Sequence, residues 1–212
     1  RLKIDSGIMS CCSLLLHFLL PLVLAGPALR SGVTVPETTG HDSIFTGHAL
    51  FNKQGERVDA DEVLAGKEVA IFYAGEFCPV CRNFTPKLRD FFEKRNEEGR
   101  PLEVIFLSAD ESEEAALRHF KRSHGDWLRL GFSDALATEL KRKYRIASGV
   151  PHELAHLNAE ERAERRSGVP AVLLIKPDGT EVQFFNTERL GRAALDPWDS
   201  MESYAWPSRD DL

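Results

Sequence analysis

Residues 69–81 read VAIFYAGEFCPVC and decide the fold, because an apolar run gives way there to a pair of cysteines. The run from Val69 to Ala74 has the length and the β-branched and aromatic content of a buried strand. Pro79 falls at the first position of a predicted helix, where its fixed φ is favourable and its missing N–H costs nothing. The stretch therefore predicts a strand, a turn and a helix that begins with two thiols.

Cys78 and Cys81 form a Cys-x-x-Cys pair at this predicted helix N-terminus. Two thiols with this spacing in a first helical turn can approach closely enough to form a disulfide without backbone movement. Cys78 is predicted at the N-cap, where free N–H groups and the helix dipole favour its thiolate. We therefore assign Cys78 as the nucleophile and Cys81 as the resolving thiol. The other two cysteines, Cys11 and Cys12, lie in an apolar leader that is predicted to be removed.

Half a zinc site and two incidental buried thiols are the alternatives for an isolated Cys-x-x-Cys pair. A structural zinc site needs four ligands, and no second cysteine pair follows residue 12. His152 and His156 have an i, i+4 spacing, but their segment is charged and is predicted to be an exposed insert. Peroxidase chemistry is disfavoured because Gly75 stands where a peroxidatic site needs Thr or Ser. We expect no metal.

The residues around the dithiol resemble the thioredoxin superfamily, and within it the nucleoredoxin, nucleoredoxin-like and tryparedoxin branch. Pro86, five residues after Cys81, stands where such proteins kink the active-site helix. Residues 64–73 are similar to that branch's helix, Gly-Lys turn and central strand. Residues 102–114 are similar to its next strand, turn and acidic helix start. The resemblance covers about residues 45–195.

Two positions depart from the family pattern. Phe77 occupies a position often held by Trp, and Phe72 stands where thioredoxins proper carry a buried Asp. The tryparedoxin side of the family typically lacks that Asp, but its absence removes one helper for proton transfer to Cys81. The resemblance implies that Phe77, Pro79 and Val80 shape the substrate site.

The resemblance implies an α/β, thioredoxin-like fold with a central mixed sheet flanked by helices. An extra N-terminal hairpin and an inserted segment are expected to elaborate that fold. Local patterns predict further elements: a hairpin over 49–58, a short helix near 61–64, a helix opened by Asp110 and Glu113 as a capping box, a helix opened by Ser133 or Asp134, an insert helix capped by Asn158 and Glu161, a hairpin over 171–185 and a helix over 188–195.

Pro170 is predicted to be the cis proline that faces the dithiol in this family. Val169 before it then offers strand-like backbone hydrogen bonds to a substrate. Ser-Gly-Val-Pro occurs twice, at 148–151 and 167–170, which marks about 149–167 as an insert. We prefer the second copy because five apolar residues follow it; a plain strand start is the alternative. Whether the insert shapes substrate access or is a neutral or damaging elongation stays open.

Residues 1–30 form a hydrophobic leader, with an almost entirely apolar run over 11–25 that is short for a membrane helix and suits a signal peptide. An uncleaved anchor is the alternative. Residues 31–44 are predicted to be a linker, and residues 196–212 an irregular acidic tail. The last four residues resemble an endoplasmic reticulum retention signal. Together these segments predict a location in the secretory pathway, with the lumen of the endoplasmic reticulum as its expected compartment and the cytosol as the alternative. No stable membrane span is expected after leader removal.

The net charge of −6 and the interrupted basic clusters argue against nucleic acid as a partner. The sequence has no phosphate-binding glycine loop and no nucleotide motif, so no cofactor is expected. Electrons must therefore come from an external thiol or a reductase protein. The expected clients are proteins that carry a disulfide or a dithiol.

These patterns predict a thiol–disulfide oxidoreductase that reduces or exchanges protein disulfides through its Cys-Pro-Val-Cys dithiol. A function of another class stays open. The alternative is a redox-sensitive binding module of the nucleoredoxin-like type, in which the pair switches contact with a client without turnover. A buried or obstructed Cys78 would favour the module.

Overall fold

A computed structural model describes residues 43–207 of the 212-residue chain. The predicted leader over 1–30, most of the predicted linker and the last five residues of the predicted tail lie outside the described residues. The strands of the described part are β1 (Leu50–Phe51), β2 (Arg57–Val58), β3 (Glu68–Ala74), β4 (Leu102–Ser108), β5 (Leu128–Leu130), β6 (Ala171–Ile175) and β7 (Glu181–Phe185). The helices are α1 (Ala60–Leu64), α2 (Pro79–Glu97), α3 (Glu113–Ser123), α4 (Ala135–Tyr144), α5 (Pro151–Leu154), α6 (Ala159–Ala163) and α7 (Thr187–Leu190), followed by a 3₁₀ helix over Gly191–Ser200.

The strands form one mixed sheet in the order β2-β1-β5-β4-β3-β6-β7. Strand β3 pairs in parallel with β4 and antiparallel with β6, so it lies at the centre of the sheet. This arrangement confirms the predicted mixed sheet flanked by helices. No helix among residues 43–207 combines the length and the apolar character needed to cross a membrane.

Every residue of β3 is buried, as expected for a strand covered by helices on both faces. The ring of Phe72 packs against Phe84 of α2, Phe106 of β4 and Trp127, with ring centroids 5.9–6.2 Å apart. The position that holds a buried Asp in thioredoxins proper is therefore part of an aromatic core here. Of these three rings only Trp127 carries a donor, and its indole N–H already donates to His124, so an ionised carboxylate at this position would be buried without a free partner among them.

Both predicted hairpins form. Strand β1 pairs antiparallel with β2, and β6 pairs antiparallel with β7. Asn52 begins the first turn, where its side chain accepts hydrogen bonds from the N–H groups of Gln54 and Glu56. Strand β1 also pairs with β5, which attaches the extra hairpin to the edge of the sheet.

Two predicted helix boundaries are wrong. Helix α3 is capped by Ser112, whose Oγ accepts from the N–H of Ala115, and not by Asp110. Asp110 is buried near the dithiol loop instead, where its carboxylate has other partners. The predicted helix over 188–195 is a short α-helix that ends at Leu190 and continues as a 3₁₀ helix, with Gly191 at φ 57° where the two meet.

The predicted irregular tail begins later than expected, since the 3₁₀ helix extends to Ser200 and residues 201–207 have no helix or strand. Trp198 and Trp206 are both buried in the core. The indole N–H of Trp206 donates to the carbonyl of Ile175 at 2.9 Å, and its backbone pairs with Gly66 and Lys67. Burial of these two large side chains explains why the packed structure continues well beyond residue 195.

The insert over 149–167 folds into α5 and α6. A parallel bridge between Ile146, just after α4, and Ser167 brings the two ends of the insert together. Asn158 and Glu161 form the predicted capping box at the start of α6. The insert is not exposed throughout, because Glu153 is buried. Its α5 end lies against the dithiol side of the domain.

Candidate active site

Cys78 and Cys81 lie at the start of α2 as predicted, with Cys78 at the N-cap and Pro79 at the first helical position. The Cys78 sulfur accepts a hydrogen bond from the backbone N–H of Cys81 at 3.2 Å. Both cysteines are present as free thiols. The turn of α2 therefore brings the two thiols together and aims one helical N–H at the Cys78 sulfur.

The two thiols differ in their access to solvent. Cys78 is 9% exposed, whereas Cys81 is fully buried. Burial raises the pKa of the Cys81 thiol above its usual range; its contact with Cys78 and the charge of Asp110 act in the same direction, while a backbone hydrogen bond from Gly75 opposes them. The Cys81 thiol is therefore protonated at neutral pH, and Cys78 is the more accessible of the two sulfurs.

The loop that contains Val169 and Pro170 lies beside Cys78, and the peptide bond between them is cis, as predicted. The Cys78 thiol donates to the carbonyl oxygen of Val169 at 3.5 Å. This loop is fixed from behind, because the Glu188 carboxylate accepts from the N–H of Gly168 at 2.7 Å and Thr187 donates to the carbonyl of Pro170 at 2.9 Å. A rigid carbonyl edge therefore faces the nucleophile.

The side chains on either side of Cys78 form an apolar rim. Phe77 is 42% exposed and Val80 is 45% exposed, and Pro79 between the two cysteines is also exposed. Large apolar side chains at such exposure are uncommon in the described part of the chain, where Leu190 is the only other large example. The structure therefore presents Phe77, Pro79 and Val80 together as an exposed apolar patch next to Cys78.

Asp110 is a residue of this site that sequence reasoning placed in the wrong role. Its carboxylate accepts from the backbone N–H of Glu76 at 2.7 Å and from Ser108 Oγ at 2.8 Å. Burial opposes its ionisation, but His119, Ser108 and the Glu76 N–H outweigh that effect and hold the pKa of Asp110 below its usual range. The ionised carboxylate fixes the loop before Cys78. The sequence signal that could have indicated this role is the position of Asp110 two residues after the buried strand β4.

Glu76 provides further connections at the same loop. Its backbone carbonyl accepts from Arg82 at 2.7 Å, and its carboxylate pairs with Arg118 of α3 at 2.9 Å. The charge of Glu76, two residues before the nucleophile, is therefore compensated by a guanidinium. The loop is connected to both α2 and α3.

A cleft of about 680 Å³ opens beside Phe77. One wall is formed by Val150, Pro151 and His152 of the insert, and the other by residues of the dithiol loop and of α3. The ring of His152 meets the ring of Phe77 edge to face, with centroids 6.3 Å apart, and its Nε2 lies 2.9 Å from the carbonyl oxygen of Ala109. The insert therefore lies next to the dithiol loop and contributes one wall of this cleft.

The next residue of the insert, Glu153, makes a buried ion pair with Lys141 of α4, at 2.7 Å. Burial raises the pKa of Glu153 to about 7 and lowers the pKa of Lys141 to about 8. Tyr73, whose ring lies 4.9 Å below the Lys141 ammonium, separates the pair from the centre of the sheet. The pair anchors α5 to the domain core.

The raised pKa of Glu153 predicts a pH-dependent contribution to stability. Because the folded state binds the Glu153 proton more tightly than the unfolded chain does, wild-type stability falls relative to Glu153→Gln as the pH rises from about 4.5 to about 7. The expected size is about 3 kcal/mol over that interval. Urea unfolding of both proteins at pH 5 and pH 7.5 measures it, and a stability difference independent of pH would contradict it.

The unequal burial of the two thiols predicts selective alkylation. Iodoacetamide at pH 7.5 is expected to label Cys78 of the reduced protein at least about tenfold faster than Cys81, because only the thiolate reacts and Cys81 is buried with a raised pKa. Mass spectrometry of the peptide that carries both residues, with fragmentation, measures the two rates. In guanidinium chloride the two residues should react at similar rates; equal labelling in the native protein would contradict the assignment.

Comparison with known proteins agrees with this geometry. A family model described as Thioredoxin-like matches residues 66–181. The chain belongs to the thioredoxin-like family. It is 29% identical to human nucleoredoxin-like protein 1 over 170 residues, which are 74% of this chain and 71% of that protein. Human nucleoredoxin is 33% identical over 125 residues, 58% of this chain and 28% of that protein.

A solved structure of tryparedoxin I from Leishmania major is 25% identical to the chain, covers 76% of it and 93% of itself, and superposes with a TM-score of 0.51. The predicted branch of nucleoredoxins, nucleoredoxin-like proteins and tryparedoxins is thereby confirmed. The chain spans between 17% and 33% of the length of the nucleoredoxins that it matches. Membership of the family supports thiol–disulfide oxidoreductase chemistry in general.

Proposed function

We propose that this protein reduces or exchanges disulfides of client proteins through the dithiol of Cys78 and Cys81. The observation that carries the proposal is the asymmetry of the pair. Cys78 lies at the helix N-cap and keeps 9% exposure, whereas Cys81 behind it is fully buried and has a raised pKa. Cys78 is thus the more accessible thiol for attack on a client, and Cys81 can act only after it.

The first step is attack of the Cys78 thiolate on one sulfur of a client disulfide. A bond forms between Cys78 and that sulfur, the client disulfide breaks, and the second client sulfur leaves as a thiolate that takes up a proton. The N–H of Cys81 stabilises the Cys78 thiolate before attack, and the carbonyl of Val169 lies where an extended client segment needs a hydrogen-bond acceptor.

The second step is attack of Cys81 on the mixed disulfide. Cys81 loses its proton, bonds to the sulfur of Cys78 and releases the first client sulfur, which takes up a proton. The client disulfide has then gained two electrons and two protons, and the protein dithiol has become a disulfide. An external dithiol or a reductase protein must reduce Cys78 and Cys81 again, and the reverse sequence oxidises a client dithiol.

A specific observation favours a second candidate function, a redox-sensitive binding module. Cys78 is only 9% exposed and its thiol is engaged by the Val169 carbonyl. Restricted access slows attack on folded clients, whereas oxidation of the pair by a small oxidant would still change the apolar rim of Phe77 and Val80. In that case the dithiol would switch a contact without turnover.

Reduction of insulin disulfides by dithiothreitol distinguishes the two functions. The full-length protein is compared with a Cys78→Ser/Cys81→Ser variant whose circular dichroism spectrum matches the wild type. An oxidoreductase accelerates insulin reduction far above the variant at substoichiometric concentration. Equal rates for the two folded proteins would reject general disulfide reductase activity and favour the binding module.

A further inference from the structure

The insert contributes one side chain that touches the dithiol loop directly. His152 of α5 places its ring edge against the ring of Phe77, which immediately precedes Cys78. The nitrogen Nε2 of His152 lies 2.9 Å from the carbonyl oxygen of Ala109, so with the proton on Nε2 the ring donates to that oxygen. The hydrogen bond to the Ala109 carbonyl fixes the plane of the His152 ring. The edge-to-face contact with this fixed ring then restrains the orientation of Phe77.

The position of His152 is itself held from the core. Its neighbour Glu153 is buried and pairs with Lys141 at 2.7 Å, so α5 cannot shift without separating that pair. Phe77 is 42% exposed, and its ring lies over Gly75, where an added Cβ would meet ring carbons at 2.5–3.2 Å. The anchored His152 ring is thus a second restraint on the orientation of this partly exposed side chain next to Cys78.

We propose that His152 is a positioning residue for client proteins, which acts by holding Phe77 in the orientation that forms one wall of the cleft next to the dithiol loop. This inference rests on the proposed oxidoreductase function and deepens it. A protein client must lay a peptide segment along the surface at Phe77 to bring its disulfide to Cys78. A small disulfide needs only the sulfur, so its reaction does not depend on this wall.

The test is steady-state reduction of fluorescein-labelled insulin by the full-length protein with dithiothreitol as donor. His152→Ala is expected to raise KM for insulin about threefold to tenfold, the value of one edge-to-face ring contact, with kcat within about twofold of the wild type. Oxidation of the pre-reduced protein by bis(2-hydroxyethyl) disulfide, followed by peptide alkylation at Cys78, is expected to change by less than about twofold.

Three further variants separate positioning from a structural effect. His152→Phe keeps a ring against Phe77 but lacks the donor that fixes its plane, and should restore KM in part. His152→Gln keeps a donor for the Ala109 carbonyl without a ring and should not restore KM. His156→Ala, a change to the insert's other histidine, whose side chain is exposed, is the matched control and should leave KM unchanged.

Each outcome has one meaning. An unchanged KM in a folded His152→Ala protein overturns the proposal, and so does restoration by Gln but not by Phe. Equal losses with insulin and with the small disulfide, together with a lower melting temperature, would also overturn it in favour of a structural role. Absence of insulin turnover in the wild type would instead reject the oxidoreductase function itself.

Discussion

Replacement of Cys78 by serine is expected to lower the rate of insulin reduction by at least about 1000-fold, to the background of dithiothreitol alone. Cys78 is the less buried of the two thiols, and its sulfur accepts the helical N–H of Cys81. A serine hydroxyl at this position is not ionised at neutral pH and forms no disulfide. The insulin assay of the full-length variant, with its fold checked by circular dichroism, measures the loss.

Cys81→Ser is the matched control, because it removes the second sulfur of the same motif. This variant should still attack a client disulfide once, but it cannot resolve the product, so a mixed disulfide between Cys78 and insulin should accumulate. Non-reducing electrophoresis and mass spectrometry detect that adduct. An adduct formed by Cys78→Ser through Cys81, and none by Cys81→Ser, would reverse the two assigned roles.

The dithiol site was predictable because its signals are local. A buried strand, a capping position and a proline at the first helical turn lie within thirteen consecutive residues, 69–81, and the structure places them as predicted. The facing loop of Val169 and Pro170 was predicted from the resemblance to thioredoxin-like proteins, and the apolar strand that follows it decided between the two candidate prolines. Local patterns thus placed the dithiol, whereas the facing loop also needed the family resemblance.

Contacts between distant residues were not predictable in the same way. Asp110 and Ser112 are both good capping residues, and only the packed structure shows that Ser112 caps α3 while Asp110 holds the dithiol loop. His152 looked like part of a charged, exposed segment because the burial of the neighbouring Glu153 depends on Lys141 of another helix. Such pairings depend on the tertiary structure and leave no periodic pattern in the sequence.

The C-terminal segment gave an equally weak signal. Its tryptophans, Trp198 and Trp206, stand among prolines and charged residues with no helical or strand periodicity. Their rings are buried against aromatic side chains of the core, and their indole N–H groups donate to partners on β3 and β6, the carboxylate of Glu68 and the carbonyl of Ile175. The tail therefore belongs to the core through apolar packing and hydrogen bonds, and one of the hydrogen-bond partners is a buried charge.

That charge leads to the largest expected effect on stability. Glu68 at the start of β3 and Arg95 of α2 are each only 3% exposed and form an ion pair. The Glu68 carboxylate also accepts from the indole N–H of Trp198 at 3.1 Å and from the backbone N–H of Tyr204 at 3.2 Å. One carboxylate thus connects the central strand, the active-site helix and the C-terminal segment.

Arg95→Met is expected to lower the free energy of unfolding by about 3–5 kcal/mol, because it leaves the Glu68 carboxylate buried without its counter-charge. Urea unfolding followed by circular dichroism measures the change. Arg89→Met is the matched control on the same helix, since the Arg89 side chain is 41% exposed and its partners among the described residues are the surface acids Asp90 and Glu93. It should cost less than about 1 kcal/mol. Glu68→Gln combined with Arg95→Met should be more stable than Arg95→Met alone, because no unpaired charge remains. Equal stability of the two single Met variants would show that the Arg95 ion pair contributes no more than a surface pair does.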